Sequence, residues 1–190
     1  MNRSAKKEHL RSSLLEMRRE MAFEEVYLLS SRIQKRFMDT SFFKSAGSFS
    51  IYSSFQNEVL TDDIFQKAIE QGKEVAFPRV IRRHKQLAFF KVNQLTELTP
   101  GSYEILEPEE KEVRVDPESF DLVVVPGTAF DLRGARLGYG KGFYDMALST
   151  LKCPIVALAY DFQVLNETIP IEPHDIKVSA IITEKRVIRL

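Results

Sequence analysis

Polar and apolar positions in the first stretch of the chain recur with the helical period. Leu10, Leu14, Met17 and Met21 stand at i, i+4, i+7 and i+11. This stripe predicts a helix over 5–21, with Ser4 as its cap. Lys7 and Arg11 are four apart and share a different face of that helix. Val26, Leu29, Ile33 and Phe37 predict a second helix over 23–38. The pattern then shortens. A strand is expected over 47–52, a loop around Asn57-Glu58, and a helix from a Thr61 cap to Gln71, ended by Gly72. Strands are expected over 74–77, stopped by Pro78, and over 87–92. The acidic segment 100–117 reads as an irregular exposed connection. Residues 122–125 form a continuous apolar run, as in a strand covered on both faces, ended by Pro126-Gly127. A helix is expected over 143–151, a strand over 155–160, and terminal strands over 178–183 and 187–190 around a Glu184-Lys185 turn. Strands alternating with helices over one span, 1–190, predict a single α/β domain whose sheet is covered on both faces. In such sheets ligands sit beyond the strand C-terminal ends. Tyr52 to Glu58, Pro78-Arg79, Pro126 onward and Asp161 fall there.

Composition narrows the classes. Lys and Arg total 27 and Asp and Glu total 27, so the formal net charge is zero. That argues against nucleic-acid binding through bulk positive charge. The single cysteine, Cys153, excludes an intrachain disulfide and a cysteine-based zinc site. It adjoins Pro154 before an apolar run and reads as a buried, inert thiol. The first residues lack the apolar core of a secretory signal, and no apolar run is long enough to span a bilayer. The expectation is a soluble cytoplasmic chain with no membrane or nucleic-acid partner.

The densest chemistry lies at 121–145, DLVVVPGTAFDLRGARLGYGKGFYD. Three glycines alternate at Gly138, Gly140 and Gly142, with Arg136 before them and Lys141 between the last two. A strand, a basic glycine loop and a helix start can offer backbone N–H groups and positive charge to a phosphate. The glycines permit close approach and positive φ, and Asp145 could reach a metal ion. The spacing is neither GxxxxGK[ST] nor GxGxxG. On spacing alone, a tight strand–helix connection or another kind of active loop stays open.

The string Pro126-Gly127, Ala129-Phe130-Asp131, Gly134 and Arg136 to Asp145, with these intervals, resembles the signature of the 5-formyltetrahydrofolate cyclo-ligase (5,10-methenyltetrahydrofolate synthetase) family. Further similarities lie at Lys7-x-x-x-Arg11, around Glu58, at Pro78-Arg79 and near His174-Asp175, so the resemblance spans almost the whole chain. It implies a layered α/β sandwich with a mostly parallel central sheet, Rossmann-like and of the type shared with sugar-phosphate isomerases and CoA transferases. It implies an enzyme, acting as a monomer, that uses ATP and Mg2+ to turn 5-formyltetrahydrofolate into 5,10-methenyltetrahydrofolate, ADP and phosphate.

The resemblance also assigns residues. Lys7, Arg11, Arg136, Leu137, Gly138, Tyr139, Gly140, Lys141, Gly142, Phe143 and Tyr144 would meet ATP. By spacing alone the Lys7/Arg11 pair reads instead as a solvated basic face. Arg136, Lys141 and Tyr144 would take part in catalysis. Tyr52, Ser53, Phe55 and Glu58 would meet the folate, together with Tyr139, Gly140, Lys141, Gly142 and Phe143, which lie between the two ligands. Glu58 suits the donor edge of a pterin. Phe143 stands where tyrosine is commoner, which keeps stacking and loses a hydroxyl. Asp145 would be the magnesium ligand. Arg79 is left facing either phosphate or the folate tail, Asp175 without a role, and Asp131 as a turn or supporting residue. The chain departs from the family pattern at Ser179, where an aspartate often contributes to the metal site, so magnesium would rest on Asp145, ATP oxygens and water. Two alternatives follow: a folate or nucleotide binder without turnover, suggested by Ser179, and a sugar-phosphate isomerase or CoA-transferase-like enzyme.

Overall fold

The computed structural model describes residues 3–84 and 86–190. Two helices, α1 (Arg3–Glu20) and α2 (Phe23–Asp39), and a short α3 (Ser41–Ser45) precede β1 (Ser48–Ser50) and α4 (Asp62–Glu70). Then come β2 (Glu74–Ile81), β3 (Gln86–Lys91), β4 (Leu98–Pro100), β5 (Leu106–Pro108), β6 (Arg114–Val115) and β7 (Leu122–Val125). A hairpin, β8 (Ala129–Asp131) and β9 (Arg136–Leu137), leads to α5 (Phe143–Leu148). The chain ends with β10 (Ile155–Leu158), β11 (Val164–Leu165), β12 (Ala180–Ile182) and β13 (Val187–Arg189).

Eight strands form the central sheet in the order β13-β12-β10-β7-β1-β2-β3-β6. Neighbours from β12 to β2 run parallel, and β13, β3 and β6 add antiparallel edges. The fold is the expected α/β type with a mostly parallel sheet. The apolar run of β7 explains its central place, because the pleat sends its side chains to two different cores. Leu122 and Val124 join Ile33, Phe37, Phe43 and Phe65 under α2, α3 and α4. Val123 and Val125 join Phe130, Leu148 and Ala157 on the other face. Truncating a fully buried ring such as Phe37 to alanine would cost about 3–5 kcal/mol.

Four expectations needed correction. Pro78 does not stop β2, which runs on to Ile81. The Val75 carbonyl accepts from Val92, on the β3 side, whereas the Ala76 carbonyl accepts from Ile51 and the Val80 N–H points to Glu107. Even-numbered residues of β2 therefore turn their backbone away from β3, and the missing N–H of Pro78 takes nothing from that ladder. The segment 100–117 is not merely an exposed connection: it carries parts of two strand pairings, and Ser102 and Glu107 are buried in it. The glycine loop does not follow β7 directly, because the β8/β9 hairpin intervenes. Finally, α5 is shorter than the expected 143–151 helix.

The face of α1 also differs. Met17 is exposed, and the stripe turned inward is Lys7, Arg11, Leu14 and Arg18. It has the same i, i+4, i+7, i+11 spacing, displaced by three positions. Leu14 packs on Ala129, Ala135, Leu137 and Ile169 of the small β11-β8-β9 layer. The helix thus brings three cations to the upper end of the sheet.

Candidate active site

A cavity of about 770 Å3 opens where β1 and β7 end and along the last half of β2. Its walls come from α1, the loop after β1, the turn after β7, the glycine loop, the start of α5 and a strap over 103–107.

The β8/β9 hairpin delivers Arg136. Asp131 closes its turn: Oδ1 accepts from the Arg133 and Ala135 N–H groups, and Oδ2 from Ile169. Asp131 is therefore a turn residue, buried and away from the cavity lining. Gly134 has φ +83°, and a Cβ there would stand 2.8 Å from the Val178 carbonyl, so the turn requires glycine. Arg136, 9% exposed, then lays its guanidinium 5.4 Å from the Tyr144 ring centre and donates from Nη2 to Asp145 Oδ1 at 3.0 Å. The same Oδ1 accepts the Ile176 N–H at 3.1 Å.

The glycine loop leans on α1. Arg11 Nε donates to the Gly138 carbonyl at 2.9 Å, and Gly140, with φ +84°, leaves room for that guanidinium. Lys7 reaches Asp175 Oδ2 at 2.8 Å and lies 3.7 Å from Glu172. Lys141 is exposed at the rim.

Opposite, the loop after β1 carries Glu58, 5% exposed, whose Oε2 accepts the Phe55 N–H at 3.1 Å. Burial pushes its carboxyl up to about 7; the nearby Arg18 guanidinium, the Phe55 N–H and the Tyr139 hydroxyl oppose that rise. Burial, with Glu58 close by, pushes the Tyr139 phenol up to about 12 and Tyr144 higher still. Both hydroxyls thus remain protonated near neutrality and available as donors.

Every residue expected at the ATP, folate or metal site lines this one cavity: Lys7, Arg11, Tyr52, Ser53, Phe55, Glu58 and the run from Arg136 to Asp145. Tyr52 does so only marginally. It is 2% exposed, belongs to the main core, and gives its hydroxyl to the Val59 carbonyl at 2.9 Å. Arg79 does not line the cavity: its Nη1 donates to the Pro108 carbonyl at 2.7 Å and its Nε lies 3.8 Å from Glu110. Asp161 pairs with Arg186 and Lys185 at the surface, outside the cavity. Ser179 sits at the far end of the parallel strands: its Oγ accepts the Ile155 N–H at 3.1 Å, where β10 begins.

Three features escaped the sequence reading. Arg18, 1% exposed, stands beneath the cavity. Its spacing of seven from Arg11 was the available signal, hidden because cations on a helix read as solvated. Glu107, 3% exposed, lines the cavity and accepts the Val80 N–H at 3.2 Å. Tyr103 and Glu104, both with φ near +60°, turn the strap over the cavity mouth. Nothing in a polar, aperiodic segment announced them.

Among the described residues, no three His, Cys, Asp or Glu gather to hold a metal ion. Asp145 offers one carboxylate, with one oxygen already committed. Such a donor set fits a magnesium ion that arrives on phosphate oxygens and keeps its waters.

The model of the 5-formyltetrahydrofolate cyclo-ligase family matches residues 3–184, from the cations of α1 to the last parallel strand. The chain is 30% identical over 190 residues to the 5-formyltetrahydrofolate cyclo-ligase of Mus musculus, covering 94% of this chain and 93% of that one. It is likewise 30% identical over 202 residues to a probable 5-formyltetrahydrofolate cyclo-ligase of Schizosaccharomyces pombe, covering 98% of each. The NMR structure of Aquifex aeolicus 5,10-methenyltetrahydrofolate synthetase is similar to it with a TM-score of 0.85 and 35% identity, over 96% of this chain and 92% of that one. The cavity, the glycine loop and every strand of the sheet but β13 lie inside the family match, and the chain belongs to the 5-formyltetrahydrofolate cyclo-ligase family of enzymes.

Proposed function

We propose that the protein converts 5-formyltetrahydrofolate and ATP into 5,10-methenyltetrahydrofolate, ADP and phosphate. One observation carries this reading: a single cavity joins a cation-lined glycine loop to a buried carboxylate, with Tyr139 spanning the two. A reaction between a nucleotide and a pterin needs both kinds of wall in one space.

The chemistry is the removal of an oxygen. A formamide carbon is a poor electrophile, and its oxygen leaves badly as hydroxide. Transfer of the γ-phosphoryl group to that oxygen makes a phosphate leaving group. N10 of the folate then attacks the same carbon, phosphate departs with the former formyl oxygen, and N10 gives up its proton as the ring closes. The enzyme's part is alignment and charge. Lys7, Arg11 and Lys141 neutralise the triphosphate, and Arg136 and Tyr144 face the transferring group. The backbone from Leu137 to Phe143 packs between nucleotide and folate. Glu58 accepts hydrogen bonds from the pterin N–H and amino group, with Ser53 and Phe55 against the ring. Magnesium, held by Asp145 and phosphate oxygens, would supply further charge neutralisation. We take the working unit to be a cytoplasmic monomer in which one chain supplies every wall of the cavity.

The test is a turnover assay with purified protein, 5-formyltetrahydrofolate, ATP and Mg2+. The methenyl chromophore and ADP are expected to appear one for one, and neither should form when folate or ATP is left out. ATP hydrolysis indifferent to folate, or folate binding without turnover, would overturn the reading.

A further inference from the structure

Arg18 has no place in the chemistry above, yet it is among the most buried side chains of the molecule. It reaches out of α1 into the junction of three other segments. Nε donates to the Gln56 carbonyl at 3.0 Å, in the loop that carries Glu58. Nη1 points to the Gly127 carbonyl at 3.4 Å, in the turn after β7, and lies 3.9 Å from Glu58 Oε1. Nη2 donates to the Tyr139 hydroxyl, whose ring centre lies 5.6 Å from the guanidinium carbon. The Tyr139 hydroxyl in turn lies close enough to the Glu58 carboxylate for each to shift the other's proton affinity. Asn57 ties the same loop back to α1, through the Arg18 and Met21 carbonyls at 2.9 and 3.2 Å. A planar fork with five N–H donors can serve all these acceptors at once, and a lysine cannot.

Gln56 and Asn57 both have φ near +50°, in the left-handed region that non-glycine residues rarely adopt. The loop that presents Glu58 is thus not held by its own backbone preference. Its shape depends on partners, and Arg18 supplies the central one. The other end of the same fork holds Tyr139, which sits between Gly138 and Gly140 in the nucleotide loop.

We propose that Arg18 is a positioning residue that couples the two halves of the site: by gripping Tyr139 and the Glu58 loop together, it makes folate binding depend on nucleotide binding and the reverse. This rests on the proposed function. A nucleotide that settles on the glycine loop fixes Tyr139, which fixes the Arg18 fork and with it the carboxylate that reads the pterin. By linkage the coupling is reciprocal. Arg18 also stands as the nearest cation to Glu58. The other groups that face Glu58 are the Phe55 N–H on its own loop and the hydroxyls of Tyr139, Tyr52 and Tyr144 from neighbouring elements. Without the guanidinium, burial of the carboxylate is opposed by hydrogen bonds alone.

The experiment measures 5-formyltetrahydrofolate binding by titration, with and without a non-hydrolysable ATP analogue and Mg2+, in the parent, Arg18→Met, Arg18→Lys, Tyr139→Phe and the double variants. The parent is expected to bind folate more tightly when the analogue is present. Arg18→Met should raise the folate dissociation constant roughly ten-fold or more, about 1.4 kcal/mol, and remove the dependence on the analogue, while the analogue alone binds as in the parent. Tyr139→Phe should also remove the dependence, and should add nothing once Arg18 is changed. The acid limb of kcat/KM for folate should move up by about one pH unit in Arg18→Met. Arg18→Lys should return that limb towards the parent without restoring the coupling. If Arg18→Met does not fold, the cycle of Tyr139→Phe with Arg18→Lys decides by the same criterion. Parent-like nucleotide dependence in the Arg18 variants, or additive effects of Arg18 and Tyr139, would overturn the proposal. So would a parent that binds both ligands independently. A parent that binds nucleotide and no folate would instead overturn the function itself.

Discussion

Arg136 and Asp145 form an ion pair 3.0 Å long in the wall of the cavity, the arginine side chain 5% exposed and the carboxylate 17%. The pair joins the β8/β9 hairpin to the first turn of α5, and it gives Asp145 a structural part beside the metal-binding one proposed for it. Its Oδ1 balances a buried guanidinium and accepts a backbone N–H from Ile176. Asp145→Asn keeps the shape and removes the charge. The variant should lose about 2 kcal/mol of stability without any metal present, because the buried Arg136 guanidinium loses its counter-charge and keeps only neutral acceptors. It should also need more magnesium for half-maximal turnover. Thermal melts in chelator and a magnesium titration of the rate separate the two effects. A parent-like melt and a parent-like titration would contradict both.

Ser179 supports a different expectation from the one its sequence suggests. Its hydroxyl caps the start of β10 by accepting the Ile155 N–H, at the end of the sheet remote from the cavity. Ser179→Asp should therefore leave the magnesium demand of turnover unchanged, and Ser179→Ala should cost about 1 kcal/mol of stability. A clear fall in magnesium demand in Ser179→Asp would place residue 179 in the metal's surroundings after all.

Lys141 is exposed at the cavity rim, and among the described residues it has no hydrogen-bond or ion-pair partner. Nothing in the fold depends on its charge. Lys141→Ala should raise KM for ATP roughly ten-fold or more, the scale of a lost charged hydrogen bond. KM for folate and the melting temperature should stay near the parent values. Initial-rate kinetics with each substrate varied in turn read the difference.

Glu58 links stability to pH. Its folded-state carboxyl titrates at about 7 against an ordinary value of 4.5, chiefly through burial. Below the ordinary value both folded and unfolded chains hold the proton. As pH rises through about 7 the folded chain must ionise a buried group, so the favourable contribution present at low pH is lost, by roughly 3 kcal/mol in all. The stability of the parent relative to Glu58→Gln should therefore fall by that order from pH 4.5 to pH 8. Over the same range folate affinity should rise in the parent, as the carboxylate becomes a two-oxygen acceptor, and stay flat and weak in the variant. Chemical denaturation and ligand titration at a series of pH values test both. A pH-independent stability difference would remove Glu58 from the buried, titrating position.

Much of this was legible in the sequence. β7 announced itself by four consecutive apolar residues, and the glycine loop by its spacing and cations. The site residues meet in one cavity because parallel strands end together, which the alternation of strands and helices implied. What stayed hidden depends on tertiary partners. Arg18 lies on a helical stripe that local pattern assigned to solvent. Pro78 continues a strand because its backbone faces away from β3, so its missing N–H takes nothing from the β2–β3 ladder. Tyr52, expected against a pterin, has its hydroxyl satisfied by Val59 and its ring in the core. The strap over 103–107 is short and lies in an acidic segment without a clear period, and only its anchors reveal it: Arg82 Nε on Ser102 Oγ at 3.1 Å, and Glu107 on the Val80 N–H. The second alternative, a sugar-phosphate isomerase or CoA-transferase-like enzyme, is set aside by family membership.

The central claim is that nucleotide and folate react inside one cavity through transfer of the γ-phosphoryl group to the formyl oxygen. 5-Formyltetrahydrofolate labelled with 18O in the formyl group tests this most directly. After turnover with unlabelled ATP in unlabelled water, mass spectrometry of the released phosphate should find one 18O per methenyl product formed. Label recovered in water, with unlabelled phosphate, would contradict the claim, because the oxygen would then have left without ever bonding to phosphorus.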